Sequence, residues 1–166
     1  MERILIYGFK PYKKYKKNIS EAVVKSIKLG RGFKVKKVIL PVFFRKEILK
    51  EIRMFRPDII VGLGQKGRGK LLEIERTARN VYKINNKLKK INSRGPDKYL
   101  LNLRFKKKLK GTRSDYYSAD YVCNFSRYII MDFIKRNKLK TKFTFIHIPK
   151  DYNPQKAVNI IQEIIQ

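Results

Sequence analysis

The only cysteine in the 166-residue chain, Cys123, stands in Tyr121-Val122-Cys123-Asn124, and the only histidine, His147, in Phe145-Ile146-His147-Ile148-Pro149. One thiol and one imidazole are the minimum for thiol-dependent hydrolysis. The imidazole takes the thiol proton, the thiolate attacks a carbonyl, and the proton passes to the leaving amine. Each residue also has a plainer reading. A lone cysteine among apolar neighbours packs as a small core side chain, and a histidine in an apolar strand is usually buried and hydrogen-bonded. A metal site is not expected, because one Cys and one His would need two carboxylates to complete a tetrahedral set.

The elements around these residues decide whether they meet. Asn124 to Lys135 places Phe125, Tyr128, Ile129, Phe133 and Ile134 at helical spacing, so Cys123 falls at a helix start. Unpaired N–H groups and the helix dipole there lower a thiol pKa from about 8.5 to roughly 3.5–7.5. The same amides can hold an oxyanion. Phe143 to Ile148 reads as a strand. One helix, a turn near Asn137 to Thr141 and this strand return the chain to the edge from which it left. A carboxylate to orient the imidazole could come from Glu73, Glu75, Asp115, Asp120 or Asp151, and spacing alone does not choose.

The earlier segments alternate. Arg3 to Tyr7 is a short apolar strand ending at Gly8; Ser20 to Leu29 is a helix with Ser20 as its N-cap; Phe33 to Leu40 is a strand closed by Pro41. Lys46 to Phe55 is a helix stopped before Pro57, and Asp58 to Leu63 is a strand that runs into the loop Gly64 to Gly69. This loop lacks the Gly-Lys-Ser/Thr ending of a P-loop and the glycine spacing of a dinucleotide fingerprint. Thr77 to Ile84 reads as a strand, Asn85 to Arg94 as a polar loop, Pro96 to Leu109 as a helix, Gly111 to Asp120 as a loop with at most a short strand, and Val158 to Ile165 as a closing helix. Alternation of strand and helix predicts an α/β fold with a mainly parallel sheet. In such a sheet Phe9, Tyr12, the loop from Gly64 to Glu75, Cys123 and His147 all reach the carboxyl rim.

Composition narrows the class. A chain of this length suits one domain that buries roughly 70% of its unfolded surface. One cysteine excludes an internal disulfide and fits a reducing compartment. The N-terminal apolar run is too short for a signal sequence and no stretch is long enough to span a membrane, so a cytoplasmic protein with no membrane partner is expected. Lys and Arg number 42 against 13 Asp and Glu, a net +29, enough to attract polyanions nonspecifically. The lysines are spread over the whole length, as in Lys13-Lys14, Lys36-Lys37, Lys89-Lys90 and Lys106-Lys107-Lys108, which suits a solvated surface better than a binding tail.

On these residues the chain resembles the pyroglutamyl peptidase I family (pyrrolidone-carboxylate peptidases), cysteine peptidases that remove an N-terminal pyroglutamate. Ser118-Ala119-Asp120-Tyr121-Val122-Cys123-Asn124 is similar to the family's cysteine motif, one residue shorter before the tyrosine. Phe145-Ile146-His147-Ile148-Pro149 resembles its histidine motif and Glu75-Arg76-Thr77-Ala78-Arg79-Asn80 its glutamate motif. Gly8-Phe9-Lys10-Pro11-Tyr12, Leu40-Pro41-Val42 and Gly95-Pro96 with Tyr99 and Leu103 match further family stretches in the same order. The resemblance implies one catalytic domain over residues 1–166, a three-layer α/β/α sandwich with a mostly parallel twisted sheet. It implies Cys123, His147 and Glu75 as the catalytic set, and Phe9, Tyr12 and Tyr121 as an aromatic pocket for the pyroglutamyl ring, with Gln65 and Val122 also touching substrate. No cofactor is implied; the partner is a peptide with an N-terminal pyroglutamate, and assembly as a dimer or tetramer is compatible with the family.

The chain departs from the family pattern in three ways. It is some tens of residues shorter, chiefly between Asn80 and Cys123; Lys10 replaces an aspartate; Lys13-Lys14 replace a Gly-Gly pair. The alternative expectations are therefore a noncatalytic or altered-specificity homologue whose basic surface binds nucleic acid or another polyanion, and a cysteine hydrolase of another lactam or amide.

Overall fold

The computed structural model describes the chain except Lys14, residues 106–108, Ser118 and Gln166. In chain order its elements are β1 (Glu2–Phe9), α1 (Ile19–Ser26), β2 (Phe33–Leu40), α2 (Glu47–Phe55), β3 (Ile59–Lys66), β4 (Leu72–Glu75), β5 (Thr77–Arg79), β6 (Tyr82–Ile84), β7 (Lys87–Lys89), β8 (Lys98–Leu100), β9 (Thr112–Asp115), α3 (Val122–Arg136), β10 (Lys142–Pro149) and α4 (Pro154–Ile165).

The main sheet has six strands in the order β2-β1-β3-β10-β4-β9. The pairs β1/β2, β1/β3 and β3/β10 are parallel, and β4 runs antiparallel to β10 with β9 parallel to β4. The central strands are apolar almost throughout because helices cover both faces. Ile4, Ile6, Val61 and Ile146 face α1 and α4, whereas Leu5, Tyr7, Ile60 and Phe145 face α2 and α3. Period-two alternation thus divides one strand sequence between two cores, giving the expected α/β/α layers. After β1 the chain crosses one face to β2, then returns over the other face to β3. The strand order reverses there, and open α/β sheets place their ligand crevice outside the carboxyl ends at such a point.

Several boundaries differ from expectation. α1 is capped by Asn18, whose Oδ1 accepts the N–H of Ser20 at 3.0 Å, and not by Ser20. Ser20 lies inside the helix and its hydroxyl accepts the N–H of Phe9 at 3.0 Å, tying the end of β1 to α1. β3 continues through Gly64 to Lys66, and Glu75 sits on the inserted antiparallel strand β4, not in a rim loop. The stretch Thr77 to Ile84 is two strands. β5 pairs with β8, while β6 and β7 form a hairpin through Asn85 and Asn86, both left-handed at φ 49° and 58°. A two-residue Asn-Asn turn suits a hairpin, and the expected loop Asn85 to Arg94 contains its second strand. The helix expected over Pro96 to Leu109 is absent among its described residues, where β8 lies; residues 106–108 lie outside the described part. β9 is the short strand allowed for after Gly111.

Candidate active site

α3 begins at Val122, so Cys123 occupies its first turn. The preceding residue, Tyr121, is extended and makes no side-chain cap. Asn124 fixes this helix start. It is 1% exposed; its Oδ1 accepts the Arg79 N–H at 2.8 Å, and its Nδ2 donates to the carbonyls of Arg79 and Val81 at 2.9 and 2.8 Å. Ser126 Oγ donates to the Cys123 carbonyl at 2.9 Å, and the buried Tyr7 hydroxyl lies 3.0 Å from the same Oγ. With its proton committed to Cys123, Ser126 receives the Tyr7 proton. Burial raises the Tyr7 pKa far above its ordinary value, so this hydroxyl keeps that proton.

His147 comes back on β10 to the same edge. Its Nδ1 is 2.5 Å from Glu75 Oε1, and its ring hydrogen-bonds Cys123. Because Nδ1 is engaged by the carboxylate, Nε2 is the nitrogen open to the thiol. The two residues approach over a glycine: a Cβ on Gly64 would stand 2.8 Å from His147 Cδ2, 2.9 Å from Phe145 Cζ and 3.0 Å from Cys123 Sγ. Gly62, one step back on the same face, gives its space to the Phe145 and Tyr7 rings. The imidazole packs edge-on against Phe145 with ring centroids 5.1 Å apart.

Burial alone would lower the pKa of His147, but the hydrogen bonds and charges of Cys123 and Glu75 outweigh it and push it up to about 9. Such a site holds the imidazole protonated at neutral pH. Glu75 is 3% exposed, and its second oxygen faces the Arg127 guanidinium, with Nη1 at 3.5 Å from Oε2. Of the other carboxylates left open by spacing, Glu73 is paired with Lys66 and Arg113. Asp115 accepts the Tyr117 N–H at 2.9 Å, and Asp151 lies in solvent beside Lys150. Asp120 accepts the Lys83 N–H on its backbone carbonyl. Glu73, Glu75 and Asp115 draw their carboxylates together; Lys66 and Arg113 pair with Glu73 and Arg127 with Glu75.

The thiol opens into a cleft of about 690 Å³. Phe9, Tyr12, Gln65, Tyr121 and Val122 all line it. Phe9 is buried, Tyr121 is 63% exposed, and burial raises the pKa of the Tyr12 phenol. Gln65 Oε1 accepts the N–H of Ile19 at 3.0 Å, so its carbonyl is spent on holding α1 against the cleft. The opposite wall was not anticipated: Pro41, Val42, Phe43 and Phe44 follow β2, and Phe44 packs with Tyr82 and Phe125. β2 is parallel to β1, so the carboxyl-edge rule also applies to its following loop. Arg127 was missed as well. A single arginine inside an apolar helix, one turn after the cysteine and so on its face, was the available signal.

Fold and site define an α/β peptidase. The chain belongs to the pyroglutamyl peptidase family, whose model matches residues 2–164. It is 32% identical over 169 residues to the pyrrolidone-carboxylate peptidase of Coprothermobacter proteolyticus, covering 90% of this chain and 82% of that protein. Among solved structures, pyroglutamyl peptidase I of Bacillus amyloliquefaciens matches with a TM-score of 0.82 and 27% identity over 99% of this chain and 92% of that one. The pyrrolidone carboxyl peptidase of Thermococcus litoralis shares the fold with a TM-score of 0.90 at 21% identity, covering 99% of this chain and 92% of that one. The polyanion-binding alternative finds no support in these comparisons. Among the described residues no helix is long and apolar enough to cross a membrane.

Proposed function

We propose that residues 1–166 act as one catalytic domain, an omega-type cysteine exopeptidase that hydrolyses the bond after an N-terminal pyroglutamyl residue. The observation that carries this reading is the hydrogen-bonded line from Cys123 through His147 to Glu75, with its thiol end in the cleft. The Cys123 thiolate attacks the scissile carbonyl carbon; the C–S bond forms as the carbonyl electrons move to oxygen, where first-turn amides of α3 receive them. The intermediate collapses, the C–N bond breaks, and His147 Nε2 gives its proton to the departing amine. Water then transfers a proton to His147 and attacks the thioester, releasing pyroglutamate and the thiolate. Glu75 holds the imidazole orientation and favours its protonated form throughout.

The aromatic walls support the choice of substrate. Phe9, Tyr12 and Tyr121 offer ring faces to a neutral lactam, whereas a charged N-terminal amine would lose solvation against them. None of these steps calls for a metal or an organic cofactor.

The test compares amine release from a pyroglutamyl reporter amide with release from its prolyl analogue, which lacks the lactam carbonyl. Strong preference for the pyroglutamyl compound, lost in Cys123→Ala, is expected. Equal turnover of the two compounds, or full turnover without the thiol, defeats the reading.

A further inference from the structure

We propose that Arg127 is a positioning residue of this site: it pairs with the far oxygen of Glu75 and, by offsetting that charge, sets the pH range in which Cys123 and His147 hold their working protonation states. This rests on the peptidase reading above.

Arg127 is 1% exposed and lies in the apolar stretch of α3, one turn after Cys123. Its Nη1 is 3.5 Å from Glu75 Oε2, and its guanidinium lies over the Phe145 ring, 5.1 Å from the centroid. Arg127 Nε, Arg127 Nη1 and Glu75 Oε2 are all buried and have no hydrogen-bond partner among the described residues. A guanidinium in such a place loses its hydration, and an apolar side chain of similar volume would pack there at less cost. What an apolar side chain would not supply is the charge. Glu75 is bracketed: Oε1 holds His147 and Oε2 faces Arg127.

Each buried glutamate is held by its own cations: Lys66 and Arg113 stand against Glu73, and His147 and Arg127 against Glu75. From β1 the buried Tyr7 faces the same space uncharged; both Cys123 and Arg127 act on it. Tyr12 and Tyr121 border the thiol from the cleft, and Lys10, Lys13 and Lys83 stand at the cleft walls. Without Arg127 the buried group carries an uncompensated negative charge. Both the thiol and the imidazole then hold their protons to higher pH.

The variants are Arg127→Met, Arg127→Lys, Glu75→Gln and the pair Glu75→Gln/Arg127→Met. The readouts are the pH dependence of Cys123 alkylation by iodoacetamide and that of kcat/KM. Arg127→Met should move the alkylation midpoint and both kcat/KM limbs up by about one pH unit. Arg127→Lys should leave them near their original values. Adding Glu75→Gln to Arg127→Met should bring the alkylation midpoint back, because the charge that Arg127 offset is then gone; loss of a merely structural contact would not be repaired this way. The proposal is overturned if folded Arg127→Met keeps the original profile, if Arg127→Lys shifts as far as Arg127→Met, or if the pair stays shifted. Where Arg127→Met does not fold, the pair measured against Glu75→Gln alone decides: an upward shift is expected and an unmoved midpoint refutes. Alkylation needs no turnover, so a chain that shows these shifts without cleaving pyroglutamyl amides loses the peptidase reading and keeps this one.

Discussion

His147 Nδ1 meets Glu75 Oε1 at 2.5 Å, although the residue directly across the ladder from His147 is Glu73. All three side chains lie on the α3 face of the sheet. The diagonal partner wins because Glu73 is already held by Lys66 and Arg113, and cross-strand diagonals are within reach of long side chains. Which of two neighbouring glutamates serves the histidine is thus decided by cations on other segments.

On the peptidase reading proposed above, that contact should govern the alkaline side of activity. The His147 pKa is pushed up to about 9 by Cys123 and Glu75 against the effect of burial. Turnover should fall as pH rises through about 9, when the proton for the leaving amine is lost. In Glu75→Gln the alkaline limb should move to lower pH, because the charge that favours imidazolium is gone. A kcat/KM profile of both proteins checks this, and an unmoved limb would show that Glu75 does not act on His147.

The same shift links pH to stability. A folded-state pKa raised from 6.5 to about 9 gives a contribution that is complete below 6.5 and lost as pH rises through about 9. Urea unfolding midpoints should therefore decline across that interval in the parent protein and decline less in His147→Ala. Parallel declines in both would remove His147 as the cause.

Cys123→Ala should reduce kcat/KM by about 10³-fold or more. The half-buried thiol lines the cleft and is also one of the groups that raise the His147 pKa, so the pH-dependent decline in the urea midpoint should be smaller in this variant than in the parent. Turnover assays and unfolding curves on one preparation test both halves.

Gly64→Ala places a methyl where His147, Phe145 and the Cys123 sulfur already lie within 3.0 Å. Something must move, and the movable parts are the two reacting groups and the ring beneath them. A loss of about 10²-fold in kcat is expected from misalignment on this scale, with a smaller change in KM. Retained kcat would mean that the thiol and imidazole need not approach over β3.

Asn124→Ala removes three hydrogen bonds from a buried side chain and leaves the Arg79 and Val81 backbone groups to find other partners. A loss of about 2–4 kcal/mol in unfolding free energy follows from unmaking such bonds. A chemical-denaturation series with full refolding measures it; a loss well under 1 kcal/mol would mean that β5 does not depend on this clamp.

The sequence by itself determined the layers and the placing of Cys123 and His147 on one edge. Long apolar runs such as Ile4 to Tyr7 and Phe143 to Ile148 signal strands buried on both faces, and the 3.6-residue period of Phe125, Tyr128 and Ile129 signals α3. Both arise from local geometry acting on nearby residues, which is why Cys123 and His147 could be placed on one edge before any coordinates. Short strands were harder to read: β4, β7 and β8 are three or four residues long and owe their form to the strand beside them. Their pairing is a contact between distant segments that no local period records. Spacing left the carboxylate open and the family resemblance implied Glu75; only the tertiary structure shows what places it against His147. Glu75 rather than Glu73 faces His147 because of where Lys66, Arg113 and Arg127 arrive, and those three come from β3, β9 and α3. Charges separated along the chain have no preferred partner until packing brings them within a few ångströms and removes the water that would screen them.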